Sequence, residues 1–342
     1  MSNLMRAVEI QNYRQPFHYT ERKELPGLGA DEVLVHVKAS GLCLTDLHLA
    51  QGRVNLGQLP RVPGHESAGQ IADMGPAVAG WQIGQKVLVL IDVPCQNCFN
   101  CHTGQTQRCR KLKRIGFERD GGHADYVAVP ARNLIWVPEP LSCEDVATLP
   151  DAGATMYHSL ISQGKVGVGQ KVVVLGVGGI GIYGVQIARL AGAEVLATSR
   201  REPRLAVAKE HGAVPVNPLK ESVKEAVSAF TGGEGADVVA DCIGTEESVR
   251  EGFALLRPGG KLLIIAYIAD DFRIPSIPLF SQEKEVIGCR GCNRQELITT
   301  VNLVAQGKIK PVIGAHFHLS QINEAAKRLE EGDVVGRIIL TR

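Results

Sequence analysis

Residues 172–188 carry no charge, yet five glycines interrupt them. The stretch is too short and too broken for a membrane span, which needs about 20 continuous apolar residues. It reads instead as a buried strand at 172–175, a glycine turn, and a helix at 180–190. The rhythm continues downstream. Apolar strands are expected at 195–198, 213–216, 237–241 and 261–266, with crossover helices at 203–211, 219–230 and 246–256. Strands alternating with helices of this length leave one solution, a doubly wound parallel sheet with helices on both faces.

Within that unit, Gly176-Val177-Gly178-Gly179-Ile180-Gly181 forms a G-x-G-x-x-G between strand and helix. Gly176 permits the tight turn and Gly178 allows close backbone approach. Gly181 lets the helix pack on the strand, while Gly179 and Ile180 lead into a helix N-terminus that faces anions. The chemistry implied is binding of a dinucleotide pyrophosphate. The next strand, 194–198, runs into Ser199-Arg200-Arg201 with no carboxylate at its end. An acidic residue there would bond a ribose 2′-hydroxyl; a serine hydroxyl and a guanidinium suit a 2′-phosphate. NADP(H) is therefore expected over NAD(H). The alternative is that both arginines merely open the next helix in solvent and Glu202 supplies the ribose contact.

The 342 residues exceed one ordinary core and suggest two domains. The part before residue 140 is β-rich, with alternating strands at 32–39 and 85–90. A net charge of +1 lacks the basic surplus that a nucleic-acid or membrane-surface partner would need. The opening Met1-Ser2-Asn3-Leu4-Met5-Arg6 does not read as a signal peptide. Nine cysteines in such a chain suggest thiolate ligands rather than a disulfide framework. A soluble, cytoplasmic protein is expected.

Cys95, Cys98, Cys101 and Cys109 fall within fifteen residues that lack strand or helix periodicity. Four thiolates on one loop suit a closed tetrahedral zinc site, structural because no coordination position stays open. Elsewhere single residues say less. Cys43, in Cys43-Leu44-Thr45-Asp46-Leu47-His48, is alone as readily a small core residue, and His65 a satisfied buried histidine.

Taken together, however, these strings resemble the zinc-containing alcohol dehydrogenases of the medium-chain dehydrogenase/reductase superfamily, over essentially the whole chain. Gly64-His65-Glu66-x2-Gly69-x5-Gly75-x2-Val78, Cys43-x-Thr45-Asp46-x-His48, the four-cysteine lobe and the Rossmann glycines carry the resemblance. It implies a GroES-like β-rich catalytic domain at residues 1–151 and 288–342, with a Rossmann domain at 152–287 between. It also implies two zinc ions per chain. Cys43 and His65 would ligate the catalytic one. Asp151 stands at the third-ligand position, where many relatives have Cys; its alternative is a helix N-cap. Glu66 would lie behind the metal or exchange in as a ligand, and Asp46 would hold the outer nitrogen of His65. Thr45 would bond the substrate oxygen and His48 would finish a proton relay. Arg337 resembles a family arginine near the cofactor, though a solvated strand-edge charge is an equal alternative. His123, His102, Cys143 and Cys242 read as structural, and Cys289 and Cys292 as packing. Asp92 has no assigned role. The substrate would be a small alcohol or carbonyl compound, and the assembly a homotetramer or homodimer. A polyol dehydrogenase, a zinc-independent reductase of the same superfamily, and a zinc-ribbon binding module are the rival readings.

Overall fold

The computed structural model describes residues 3–267 and 271–342; Met1 and Ser2 of the opening stretch lie outside them. The chain divides into two compact units, Met1–Asp151 with Cys292–Arg342, and Ala152–Gly291. Among the described residues no helix is long and apolar enough to cross a membrane.

The second unit is a six-stranded parallel sheet. Its order is Val214–Val216, Glu194–Thr198, Lys171–Leu175, Ala236–Asp241, Leu256–Ile264, Glu285–Gly288. Helices Gly181–Leu190, Glu202–Glu210, Val223–Thr231 and Glu246–Ala254 make the crossovers. Val173, Leu175, Leu196, Val239 and Leu262 are buried in one core with Val227 and Phe253 from the helices. Strands closed in on both faces must be apolar throughout, which is why these runs read so clearly. Two expectations shift. The third crossover helix starts at Val223 rather than 219, because the Ser222 hydroxyl caps it by accepting from Glu225 N at 3.3 Å. A sixth strand, Glu285–Gly288, adds to the edge; its residues are exposed or half-buried and give no apolar run.

The first unit is built on a mixed sheet in the order Ile313–His318, Arg337–Thr341, Glu32–Leu42, Glu66–Met74, Lys86–Val89, Leu134–Trp136, with Tyr126–Pro130 also paired to Glu32–Leu42. Register decides what meets at one end of it. Ile338 lies opposite Leu42 and Gly41 opposite Glu66. Arg337, Cys43, His65 and Glu66 are therefore neighbours although they span most of the sequence. One core of the unit gathers around Val33, Val35, Ile71 and Val87, another around Leu42, Leu49, Ile338 and Leu340, and a smaller one around Met5, Ala7, Val62 and Ala124.

Candidate metal centres and dinucleotide turn

Cys43 leaves the strand and caps the helix Leu44–Ala50, its sulfur accepting from Thr45 N at 3.5 Å. His65 follows Gly64, whose φ of +97° is left-handed and free of strain only for glycine. Asp151 lies in a π-helical turn, Leu149–Gly153, a form of helix found often at functional sites. Its carboxylate does not cap a helix. Oδ2 faces Cys43 Sγ at 3.5 Å, His65 Nε2 at 3.7 Å and Arg337 Nη2 at 2.7 Å. The ligand atoms of Cys43, His65 and Asp151 all lie within 4.8 Å of one another.

Behind them Glu66 is wholly buried, with Oε1 2.9 Å from Arg337 Nη2. Gly41 makes the room: a Cβ there would collide with the Glu66 carboxylate. Arg337 is only 6% exposed, so the solvated strand-edge reading of this residue does not hold. In this unit its guanidinium pairs with both carboxylates, a charge-balancing position that spacing could not reveal.

The electrostatics of the cluster follow from this packing. Burial would raise the Cys43 thiol, but Arg337 brings it below its ordinary value. Burial likewise opposes ionisation of Asp151, yet the hydrogen bond from His65 and the charge of Arg337 hold it well below the carboxylate range. Glu66 goes the other way, burial pushing it well up despite Arg337. With Cys43, Asp151 and the adjoining Asp46 ionised, and Glu66 kept neutral by its burial, one guanidinium leaves the cluster short of two positive charges. A divalent cation supplies that deficit, and sulfur, imidazole and carboxylate together make an acceptable zinc donor set. The residues fit the ion.

Asp46 supports His65. It accepts from Cys43 N at 2.9 Å and Gly64 N at 3.2 Å, and Oδ1 lies 3.4 Å from His65 Nδ1. Burial works against its charge, but His65 and His123 keep the carboxyl far below its usual range. Nδ1 turned to Asp46 leaves Nε2 pointing into the ligand cluster. Thr45 Oγ1 is 3.5 Å from Cys43 Sγ, and His48 follows one turn along the same helix.

The four-cysteine lobe is closed at its base by the pairing of Asp92–Val93 with Lys113–Arg114. Cys98 Sγ stands 3.5 Å from Cys101 Sγ and 3.9 Å from Cys109 Sγ, while Cys95 N donates to Cys109 Sγ at 3.2 Å. Their four sulfurs also lie within 4.8 Å of one another. Backbone N–H groups of Arg110 and Cys101 bring the Cys98 thiol down to about 6. The lobe too fits a cation, and these two clusters are the metal-type groups found among the described residues. Cys292 instead lies against Pro150 O at 3.9 Å.

In the second unit Gly176 has φ of +87°, and a Cβ on Gly181 would strike the Gly176 carbonyl. Gly178 faces open space, with Arg204 Nη1 the nearest group at 3.9 Å from where its Cβ would stand. That cradle, at the start of the helix Gly181–Leu190, is what a pyrophosphate requires. Ser199 Oγ accepts from Arg201 N at 3.2 Å, which leaves its own hydrogen to donate. Arg200 is exposed. The Glu202 carboxylate is occupied by Lys220 Nζ at 2.8 Å and by the Asn217 amide.

Residues 29–139 match the alcohol dehydrogenase GroES-like domain, and residues 179–306 the zinc-binding dehydrogenase domain. An alcohol dehydrogenase of Geobacillus stearothermophilus is 30% identical over 98% of this chain and 99% of its own. The chain belongs to the zinc-dependent alcohol dehydrogenase family. It is an oxidoreductase of alcohols that uses a nicotinamide dinucleotide. A zinc-binding dehydrogenase of Sinorhizobium meliloti 1021, solved bound to NADP, superposes with a TM-score of 0.89 at 28% identity, covering 99% of both chains. An alcohol dehydrogenase of Escherichia coli CFT073, solved with NADH, superposes with 0.90 at 26% identity over all of both. Family membership removes the zinc-ribbon reading.

Proposed function

We propose that this enzyme prefers NADP(H) and carries two zinc ions per chain, one at Cys43, His65 and Asp151 and one at the cysteine lobe. The observation that supports the reading most is the convergence of a thiol, an imidazole and a carboxylate within 4.8 Å, in a pocket short of positive charge. When bound there, zinc supplies the Lewis acidity that lowers the pKa of an alcohol brought to it. The protein's residues do the rest. Cys43, His65 Nε2 and Asp151 Oδ2 hold the ion, and Asp46 fixes the imidazole. Glu66, paired with Arg337, is the reserve carboxylate. The Thr45 hydroxyl would take the substrate's proton as it gives its own into a relay that runs through the cofactor ribose and ends at His48.

The dinucleotide lies on Gly176, Gly178, Gly179, Ile180 and Gly181. Relatives of equal likeness hold NADP in one case and NADH in the other, so preference is argued from this chain's residues. Ser199 donates to a 2′-phosphate and Arg200 grips its oxygens. Glu202, which would repel that phosphate, is already engaged by Lys220 and Asn217. Arg337, with its two carboxylates, is assigned to the metal pocket rather than the cofactor. On family resemblance we also take the enzyme to be a homotetramer or homodimer acting on a small alcohol or carbonyl compound, and on its cysteine usage a cytoplasmic one. Steady-state kinetics with both cofactors at one ionic strength should give the higher kcat/KM with NADPH, and metal analysis two zinc per chain. A higher kcat/KM with NADH overturns the cofactor assignment, and one zinc per chain in fully active enzyme overturns the metal assignment.

A further inference from the structure

His123 is completely buried and is not one of the ligand residues, yet it adjoins Asp46. The loop that carries it wraps the Gly64–His65 corner: His123 N donates to Pro63 O at 3.0 Å, and a Cβ on Gly64 would stand 2.5 Å from His123 Nδ1. Nδ1 lies 3.0 Å from Ser40 Oγ. On the other side of the ring Nε2 faces Asp46 Oδ2 at 3.7 Å and has no closer polar partner among the described residues.

The hydrogens in this row can be placed from one end. Arg342 always donates; its Nη1 gives to Ser40 Oγ at 3.3 Å and to Leu340 O at 2.9 Å. Its Nε and Nη2 are taken by the carbonyls of Ala124 and Gly122. Ser40 Oγ accepts from the guanidinium, and the acceptor that remains for its own hydrogen among the described residues is His123 Nδ1. A neutral imidazole that accepts at Nδ1 carries its hydrogen on Nε2. That N–H points at the Asp46 carboxylate, the group that in turn faces His65 Nδ1.

We propose that His123 is a positioning residue for the catalytic metal site. The row Arg342, Ser40, His123, Asp46 fixes which oxygens of Asp46 are engaged, and so holds His65 in the tautomer that offers Nε2 to the metal. The cation is two residues removed from His123. Removing an outer partner of a metal-ligating histidine weakens metal binding by about tenfold to a hundredfold, and His123, one step further out, belongs at the low end.

The inference rests on the reading of Cys43, His65 and Asp151 as a zinc site, and its test keeps the two apart. Zinc itself is the probe. The ion lost in Cys43→Ala identifies the catalytic site, and its affinity is measured by competition with a colorimetric chelator. In a second arm, cobalt in its place reports the ligand field by visible absorption. His123→Phe fills the space but neither accepts from Ser40 nor donates to Asp46. It should weaken that zinc about tenfold and alter the cobalt spectrum. His123→Gln, whose amide accepts and donates in the same directions, should restore most of the affinity. Ser40→Ala, which frees the ring to turn, should weaken zinc in the same sense by a smaller factor and serves should His123→Phe not fold. Wild-type zinc affinity in both His123→Phe and Ser40→Ala overturns the proposal. So does an equal loss in the Phe and Gln variants that tracks a fall in Tm, since that is packing alone. A wild-type protein that loses no zinc on Cys43→Ala overturns instead the underlying site.

Discussion

The two metal-type clusters of the first unit are opposites in construction. The cysteine lobe is local: four like donors on fifteen consecutive residues, three of them only partly buried, closed by one short strand pair. The Cys43–His65–Asp151 cluster is assembled from three chain positions whose outer two lie 108 residues apart, with unlike donors and a buried arginine and glutamate set behind them. A closed set of thiolates satisfies a tetrahedral ion and leaves nothing to react. A mixed set of three, balanced by charges from neighbouring strands, keeps a place for substrate and keeps its charge adjustable. By the function proposed above, the first arrangement would serve stability and the second chemistry.

The sharpest way to break that contrast is to remove a donor from each. Lewis-acid stabilisation is worth several kcal/mol, so Cys43→Ala or His65→Ala should lower kcat by at least about 10³-fold. Dinucleotide binding, followed by titration of nicotinamide fluorescence, should persist. Near-normal turnover in either variant would abolish the distinction. Asp151→Asn, which exchanges a carboxylate for a poor zinc donor, should cost roughly 10²-fold in zinc affinity or rate. Asp151→Cys should recover much of that loss, whereas full zinc and normal rate in Asp151→Asn would remove Asp151 from the ligand set. Cys98→Ala should act differently, lowering Tm by several degrees because structural zinc contributes folding free energy. Activity per folded molecule should stay close to wild type at low temperature, and an inactive but equally stable variant would contradict the assignment. The smallest effect is expected outside both clusters. Arg200→Ala should reduce kcat/KM for NADPH about tenfold relative to NADH. That is the lower end for a charged hydrogen bond, because the contact is exposed to salt.

How much could be read beforehand follows the same division. The lobe was legible because its chemistry is contiguous, and the glycine turn because Gly176, Gly178 and Gly181 sit between an apolar strand and a helix. The four inner strands are legible because they are mostly apolar; of the two edges, Val214–Val216 still shows its valines, whereas half-exposed Glu285–Gly288 carries no such signal. Cys43 and His65 were not distinguishable from core residues on their own, and only the resemblance picked them out. Arg337 was misjudged as an equal chance of a solvated charge, because nothing in its neighbours tells that its strand lies beside Glu32–Leu42. His123 was set aside as structural for the same reason. Its meaning depends on Ser40, Asp46 and Arg342, three partners brought together only by sheet register.

The absent side chain at Gly41 has a consequence of its own. A methyl group there would occupy the space of the Glu66 carboxylate, and a displaced Glu66 would leave Asp151 as the sole counter-ion of Arg337 in that pair. The guanidinium would then compete with the metal for the same Asp151 oxygen. Gly41→Ala, a change of one hydrogen for one methyl on a strand that bears no ligand in its pleat, would thus act as a tuning screw on metal affinity. A residue that offers no chemistry of its own thus sets how the two carboxylates share the arginine.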